Sequence, residues 1–142
     1  MERKTNWLAI AAAVVAGMVI GFLWYGALFQ EQWMAGNGIT QDGEKYLKNG
    51  VEMPMSATPM IFNTIAMILY ALVVNWLLGR MGINTLMDGA MAGGVIGLLM
   101  AAGEYTGNLF ANNPMSLTMV DGSYALVLFA LMGAIIGGWQ KK

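Results

Sequence analysis

"WLAIAAAVVAGMVIGFLWYGALF", residues 7–29, carries no charged residue and no proline. A helix rises about 1.5 Å per residue and the hydrocarbon core of a bilayer is about 30 Å thick, so about 20 apolar residues suffice to cross it. This stretch is long enough. Its basic lead, Arg3 and Lys4, resembles the start of a secretion signal, but an apolar segment of about 7–15 residues belongs there. The segment therefore reads as a first, uncleaved membrane span.

The rest of the chain agrees. Of its 142 residues 58% are hydrophobic and 11% charged, with a mean hydropathy of +0.59, whereas soluble domains carry about 25% charged residues. Three further spans are expected at residues 57–79, 85–110 and 115–139, the last two interrupted by Asp88, Glu104 and Asp121. The expectation is an all-α integral membrane protein, a four-transmembrane-helix bundle forming one domain over residues 1–142.

Composition also narrows function. A net charge of -1 cannot neutralise many phosphates, so no nucleic-acid partner is expected. The absence of cysteine removes disulfides and thiolate chemistry. The absence of histidine removes the commonest general base and transition-metal ligand. No catalytic residue, cofactor or metal site is expected. The fourteen methionines include Met53, Met55 and Met60, whose thioethers suit Cu(I). Methionine is also a flexible core filler, and its scatter through every span favours that reading.

Charge asymmetry orients the spans. Arg3, Lys4, Arg80, Lys141 and Lys142 fall on one side. Lys45 and Lys48 fall on the other, among Glu31, Asp42, Glu44 and Glu52. The positive-inside bias then places both termini in the cytoplasm. Residues 80–84, "RMGIN", read as a tight inner turn, and residues 111–114, "ANNP", as a tight outer one. The long outer connection, about residues 30–56, should have structure of its own. A short surface helix over residues 40–49, ended by a left-handed Gly50, is expected there.

Distances along the helices give depths. Lys4 to Trp24 and Asp121 to Lys141 are each about 30 Å apart, and Asp88 to Glu104 and Asn63 to Arg80 about 24–26 Å. Trp24, Tyr25, Asn63, Glu104 and Asp121 thus share one level near the outer boundary. Two readings of the carboxylates stand. Either they solvate themselves at the interface, or they turn inward and share a pocket with Asn63, Tyr105 and Asn108, as ionisable groups in spans commonly do. Asn108 follows Glu104 by four residues, on the same helix face.

Small residues recur at helical spacing: Gly17 and Gly21; Gly89, Gly93 and Gly97; Gly103 and Gly107; Gly133 and Gly137. Such stripes let helices approach closely in lipid, either within one bundle or between copies in a homodimer.

The opening residues, with Trp24, Tyr25, Gly26, Leu28, Phe29 and Trp33, resemble the start of a bacterial membrane family, domain of unknown function 1761. Leu109 and Phe110, and Asp121, Gly122 and Tyr124 in "MVDGSYALVLFALMGAIIGGW", are similar to its close. Where that family often has proline after WYG and histidine after the last-span tyrosine, Ala27 and Ala125 stand here. The resemblance implies four spans in the bacterial cytoplasmic (inner) membrane and supplies no activity or site residues.

The function expected is therefore non-catalytic. The protein would bind a membrane lipid or small ligand, or a partner protein, at an outer-leaflet cluster of Trp24, Tyr25, Asn63, Glu104, Tyr105, Asn108 and Asp121. It would work as a homodimer or within a larger membrane complex. The alternative is a small oligomeric proton- or cation-coupled transporter or channel using Glu104 and Asp121.

Overall fold

The computed structural model describes residues 4–140. Arg3, Lys141 and Lys142, three of the charges that orient the spans, lie outside the described residues. Four helices are long and apolar enough to cross a membrane, and they belong to a multi-pass membrane protein. They are α1 (Trp7–Phe22) with its π-helical extension (Leu23–Leu28), α3 (Thr58–Arg80), α4 (Leu86–Phe110) and α5 (Met115–Gly138). Their ends differ from the expected ones by a residue or so.

Local chemistry sets those ends. Asn6 caps α1 by accepting from the Ala9 N–H at 3.3 Å, and its Nδ2 donates to the Trp139 carbonyl at 2.6 Å. This buried side chain ties the start of α1 to the end of α5, so these two helix ends lie at one end of the bundle. Thr85 caps α4 through the Asp88 N–H at 3.1 Å, and its hydroxyl donates to the Asp88 carboxylate at 2.7 Å. Asp88 is thereby a helix-capping residue. α3 carries a proline in its first turn, where the missing N–H costs nothing. The turns expected around residues 82 and 112 are present, each with a left-handed residue: Gly82 (φ 68°) and Asn112 (φ 54°).

α5 is the hub, packing against α1, α3 and α4. Its most extensive interface is with the antiparallel α4, and there the glycine stripe acts within the monomer. A Cβ on Gly133 would lie 2.0 Å from the Gly89 carbonyl oxygen, and one on Gly93 would lie 2.0 Å from that of Phe129. Backbone therefore meets backbone. Gly17 packs similarly on Leu128, Met132 and Met67. Gly103 and Gly107 have nothing near and take no part in this interface. The buried core of Ala13, Met67, Ala71, Val74, Leu78, Met132 and Ile136 occupies the half of the bundle nearer the termini.

The long connection corrects one expectation. Its short helix is α2 (Gln30–Gly36), while residues 40–49 lie in a three-stranded antiparallel sheet, β1 (Ile39–Asp42), β2 (Lys45–Lys48) and β3 (Val51–Glu52). The register pairs Asp42 with Lys45 and Lys48 with Val51, leaving two-residue loops at Gly43–Glu44 and Asn49–Gly50. Gly43 (φ 61°), Asn49 (φ 51°) and Gly50 (φ 83°) are all left-handed. Two successive left-handed residues are what a type I′ hairpin turn requires, and Asn-Gly supplies them at least cost. An isolated helix of this length is marginal in water. Gly50 is left-handed as expected, but it turns a hairpin.

The α4–α5 contact yields a prediction. Gly93→Ala and Gly133→Ala should each lower thermal stability in detergent by about 1–3 kcal/mol, as overpacking does. Gly103→Ala and Gly107→Ala should be neutral or stabilising, by up to about 1 kcal/mol. Equal effects in both pairs would contradict this interface.

Candidate functional site

The site begins with a backbone irregularity. At residues 23–28 α1 widens into a π-helix, marked by the Phe29 N–H donating to the Trp24 carbonyl five residues back, at 2.9 Å. More residues per turn mean a smaller angle between successive side chains, and such segments cluster at functional sites. Here the widened turn aims two consecutive aromatics at α5. Trp24 Nε1 donates to the Val120 carbonyl (3.1 Å) and the Ser123 hydroxyl (3.3 Å). The Tyr25 hydroxyl donates to Asp121 Oδ1 at 2.9 Å. Gly21, one turn earlier, leaves room for the Tyr124 hydroxyl, which would sit 3.3 Å from a Cβ there.

Rings then set the walls. Tyr25 meets Tyr124 edge to face, with centroids 4.9 Å apart, and meets Trp33 of α2 at 5.9 Å. Trp24 packs on Phe29 at 5.2 Å. Tyr70 of α3 packs on Phe129 of α5 at 5.1 Å. Gly36 allows α2 to lie directly on Leu117, where a Cβ would be 2.8 Å from the Leu117 Cβ. That docking holds Trp33 against Tyr25.

These elements border a cavity of about 190 Å³, lined by Tyr25, Tyr70, Met100, Glu104, Asp121, Tyr124, Ala125, Leu128 and Phe129. Both outer carboxylates line it, Glu104 exposed and Asp121 half-buried, and no lysine or arginine among the described residues does. Glu104 has no hydrogen-bond or ion-pair partner among the described residues. Asp121 has Tyr25. Tyr70 and Phe129 sit near the middles of their helices, so the cavity runs from the hairpin end to about mid-bundle. A larger hollow of about 570 Å³ beside α4 is lined by Met91, Val95, Leu98 and Leu126, with Asp88 the sole charged residue in its lining among the described residues. It belongs to the apolar, lipid-facing surface and offers no convergent polar groups.

Four of the seven residues proposed from sequence are thus neighbours here: Trp24, Tyr25, Glu104 and Asp121. Three are not. Asn63 is exposed and donates to the Met18 sulfur at 3.5 Å. Tyr105 is exposed and outside the cavity lining. Asn108 is buried, but its Oδ1 accepts from Asn113 Nδ2 at 2.9 Å, bracing the α4–α5 turn. Equal depth along a helix does not mean equal direction around it. Sequence reasoning missed Tyr70, Phe129 and Trp33. Tyr124, three residues after Asp121 and so on the same face, was legible in principle. Among the described residues no three acidic, histidine or cysteine side chains group as a metal site would require.

Comparison with known proteins places this architecture in a family. Residues 8–137 match the family model described as Protein of unknown function (DUF1761), and the chain belongs to that family. Neither the curated proteins nor the solved structures contain a match.

The Trp24 anchor is testable by stability. Trp24→Phe keeps a ring but removes the shared N–H, and should cost about 0.5–1.5 kcal/mol on thermal unfolding. Asn63→Ala and Tyr105→Phe, outside the cluster, should stay within about 0.5 kcal/mol of wild type.

Proposed function

We propose that this DUF1761 member is a non-catalytic membrane protein that holds a small ligand in the cavity between its π-helical turn and α3, α4 and α5. One observation carries the reading. Glu104, exposed on α4, and Asp121, half-buried on α5, border one cavity together with Tyr25, Tyr70 and Tyr124. Ionisable groups are costly in a membrane interior and are kept there for function.

The chemistry around the cavity supports binding rather than catalysis. The hydroxyl of Ser123, beside the lining residue Tyr124 in sequence but not itself in the lining, donates to the Val120 carbonyl and accepts from Trp24. Conduction is less well supported. Beyond Phe129 and Tyr70 the bundle fills with Met67, Ala71, Val74, Met132 and Ile136, all fully or nearly fully buried and apolar. A transport route needs polar groups across that level.

The same reading places the site toward the outside of a bacterial cytoplasmic membrane, with both termini inside. Lys4 and Arg80 at the termini end, and Glu31, Asp42, Glu44 and Glu52 at the other, support that orientation. Because the chain has no cysteine, Glu44→Cys and Met81→Cys give single labelling sites. A membrane-impermeant maleimide should label the first in intact cells, and the second only after permeabilisation. The reverse pattern would invert the protein.

Binding is tested by native mass spectrometry of protein released from its own membrane. Wild type should retain a small adduct that the Tyr25→Phe, Asp121→Asn double variant loses and Asn63→Ala keeps. A bare wild type would remove the binding reading. The same spectra count subunits, so they also test for a homodimer.

A further inference from the structure

We infer that the cavity takes an organic ammonium group, either a free alkylammonium compound or the ammonium headgroup of a lipid. This inference rests on the binding reading and names its ligand class.

The sign of the charge follows from the lining. Two carboxylates border the cavity and no basic side chain among the described residues does. Two of those basic residues are engaged elsewhere. Lys45 pairs with Glu52 at 3.1 Å on the sheet, and Arg80 lies over the Trp76 ring at the far end of α3. The Tyr25 hydroxyl satisfies one oxygen of Asp121, and Glu104 has no partner among the described residues. Two carboxylates bordering one cavity are stabilised by a cation brought to them, and an anion would be repelled.

The kind of cation follows from the rest of the wall. Four aromatic rings line the volume, Tyr25, Tyr70, Tyr124 and Phe129, together with the thioether of Met100. Ring faces attract cations, most strongly where water is excluded, and are the recurrent partners of methylated ammonium groups. A hard metal ion demands something else: about six to eight oxygen ligands for calcium, near-octahedral oxygens for magnesium. Two carboxylates with aromatic and thioether neighbours do not meet that demand. Methyl or methylene groups around a nitrogen would instead pack on the rings while the charge faces Glu104 and Asp121.

Size agrees. The cavity measures about 190 Å³. That suits a group of a few heavy atoms. It is below the roughly 300–1,000 Å³ of pockets for drug-sized ligands. The rings are also prearranged, since Tyr25 is held by Asp121, Tyr124 and Trp33. Little ordering cost remains to be met on binding.

The test uses choline as the cation and 3,3-dimethyl-1-butanol as its uncharged isostere, titrated by calorimetry into the purified full chain in phosphatidylglycerol nanodiscs. Choline should bind at least about tenfold more tightly than the isostere, a difference of about 1.4 kcal/mol. Glu104→Gln and Asp121→Asn should each erase most of that preference, while Tyr105→Phe, outside the cavity lining, should retain it. Circular dichroism and thermal unfolding confirm that each variant is folded. A parallel arm replaces the lipid with phosphatidylethanolamine. If a lipid headgroup is the occupant, phosphatidylethanolamine co-purifies and choline affinity falls; if a free cation is, affinity is unchanged. Equal affinity for choline and the isostere, or a preference untouched by both carboxylate variants, overturns the ammonium assignment and leaves a binding pocket of another class. If neither probe binds and no adduct is retained from the native membrane, the binding reading itself falls.

Discussion

Two helices of this bundle touch through their backbones. Between α4 and α5 the side chains at Gly89, Gly93, Gly133 and Gly137 are missing, and the carbonyls of the partner helix occupy the places where Cβ atoms would be. In lipid, association gains nothing from excluding water, so close van der Waals contact must hold helices together. α4 depends on this strongly, because its contacts with α3 are few. The approach also brings Glu104 of α4 over the same face of α5 that carries Asp121 and Tyr124. Without it the two carboxylates would border no common volume.

α5 thus does two jobs along one helix. Its half nearer the termini is apolar and closely packed, with Met132 and Ile136 fully buried among residues of α1 and α3. Its other half is polar and ringed by aromatics, and α1 changes its own geometry to meet it. The π-helical turn at residues 23–28 lets Trp24 grip the α5 backbone while Tyr25 reaches Asp121. The consequence is a bundle closely packed below the cavity and shaped by polar and aromatic side chains above it. Such a division suits a protein that receives a group from one side and does not pass it on.

Much of this was legible in the chain. Span lengths and breakers located the helices to within a residue or so, because the thickness of a bilayer is a strict ruler. The same ruler set Trp24, Tyr25, Asn63, Glu104 and Asp121 at one level, and all of these but Asn63 are neighbours around the cavity. Direction around each helix was not legible. Asn63, Tyr105 and Asn108, the other three of the expected cluster, point toward α1, outward, and toward the α4–α5 turn. The hydrophobic pattern of a lipid-embedded helix is nearly uniform around its circumference, so it does not reveal which face is inward. The glycine stripes held that information, since the stripe at Gly89–Gly97 marks the face α5 covers. The sheet was missed for a different reason. Asp42–Gly43 and Asn49–Gly50 are strong hairpin signals, but a short polar segment between spans also suits a surface helix, and the left-handed Gly50 fits either.

An ammonium group held in the cavity would rest against the rings of Tyr25, Tyr70 and Tyr124. Nuclear magnetic resonance of the protein in nanodiscs, with isotope-labelled tyrosine rings and tetramethylammonium as probe, examines that contact directly. Intermolecular Overhauser effects should connect the probe's methyl protons to the rings of Tyr25, Tyr70 and Tyr124, and should vanish in Asp121→Asn. Contacts confined to exposed Tyr46 and Tyr105, or contacts unchanged by that substitution, would contradict it.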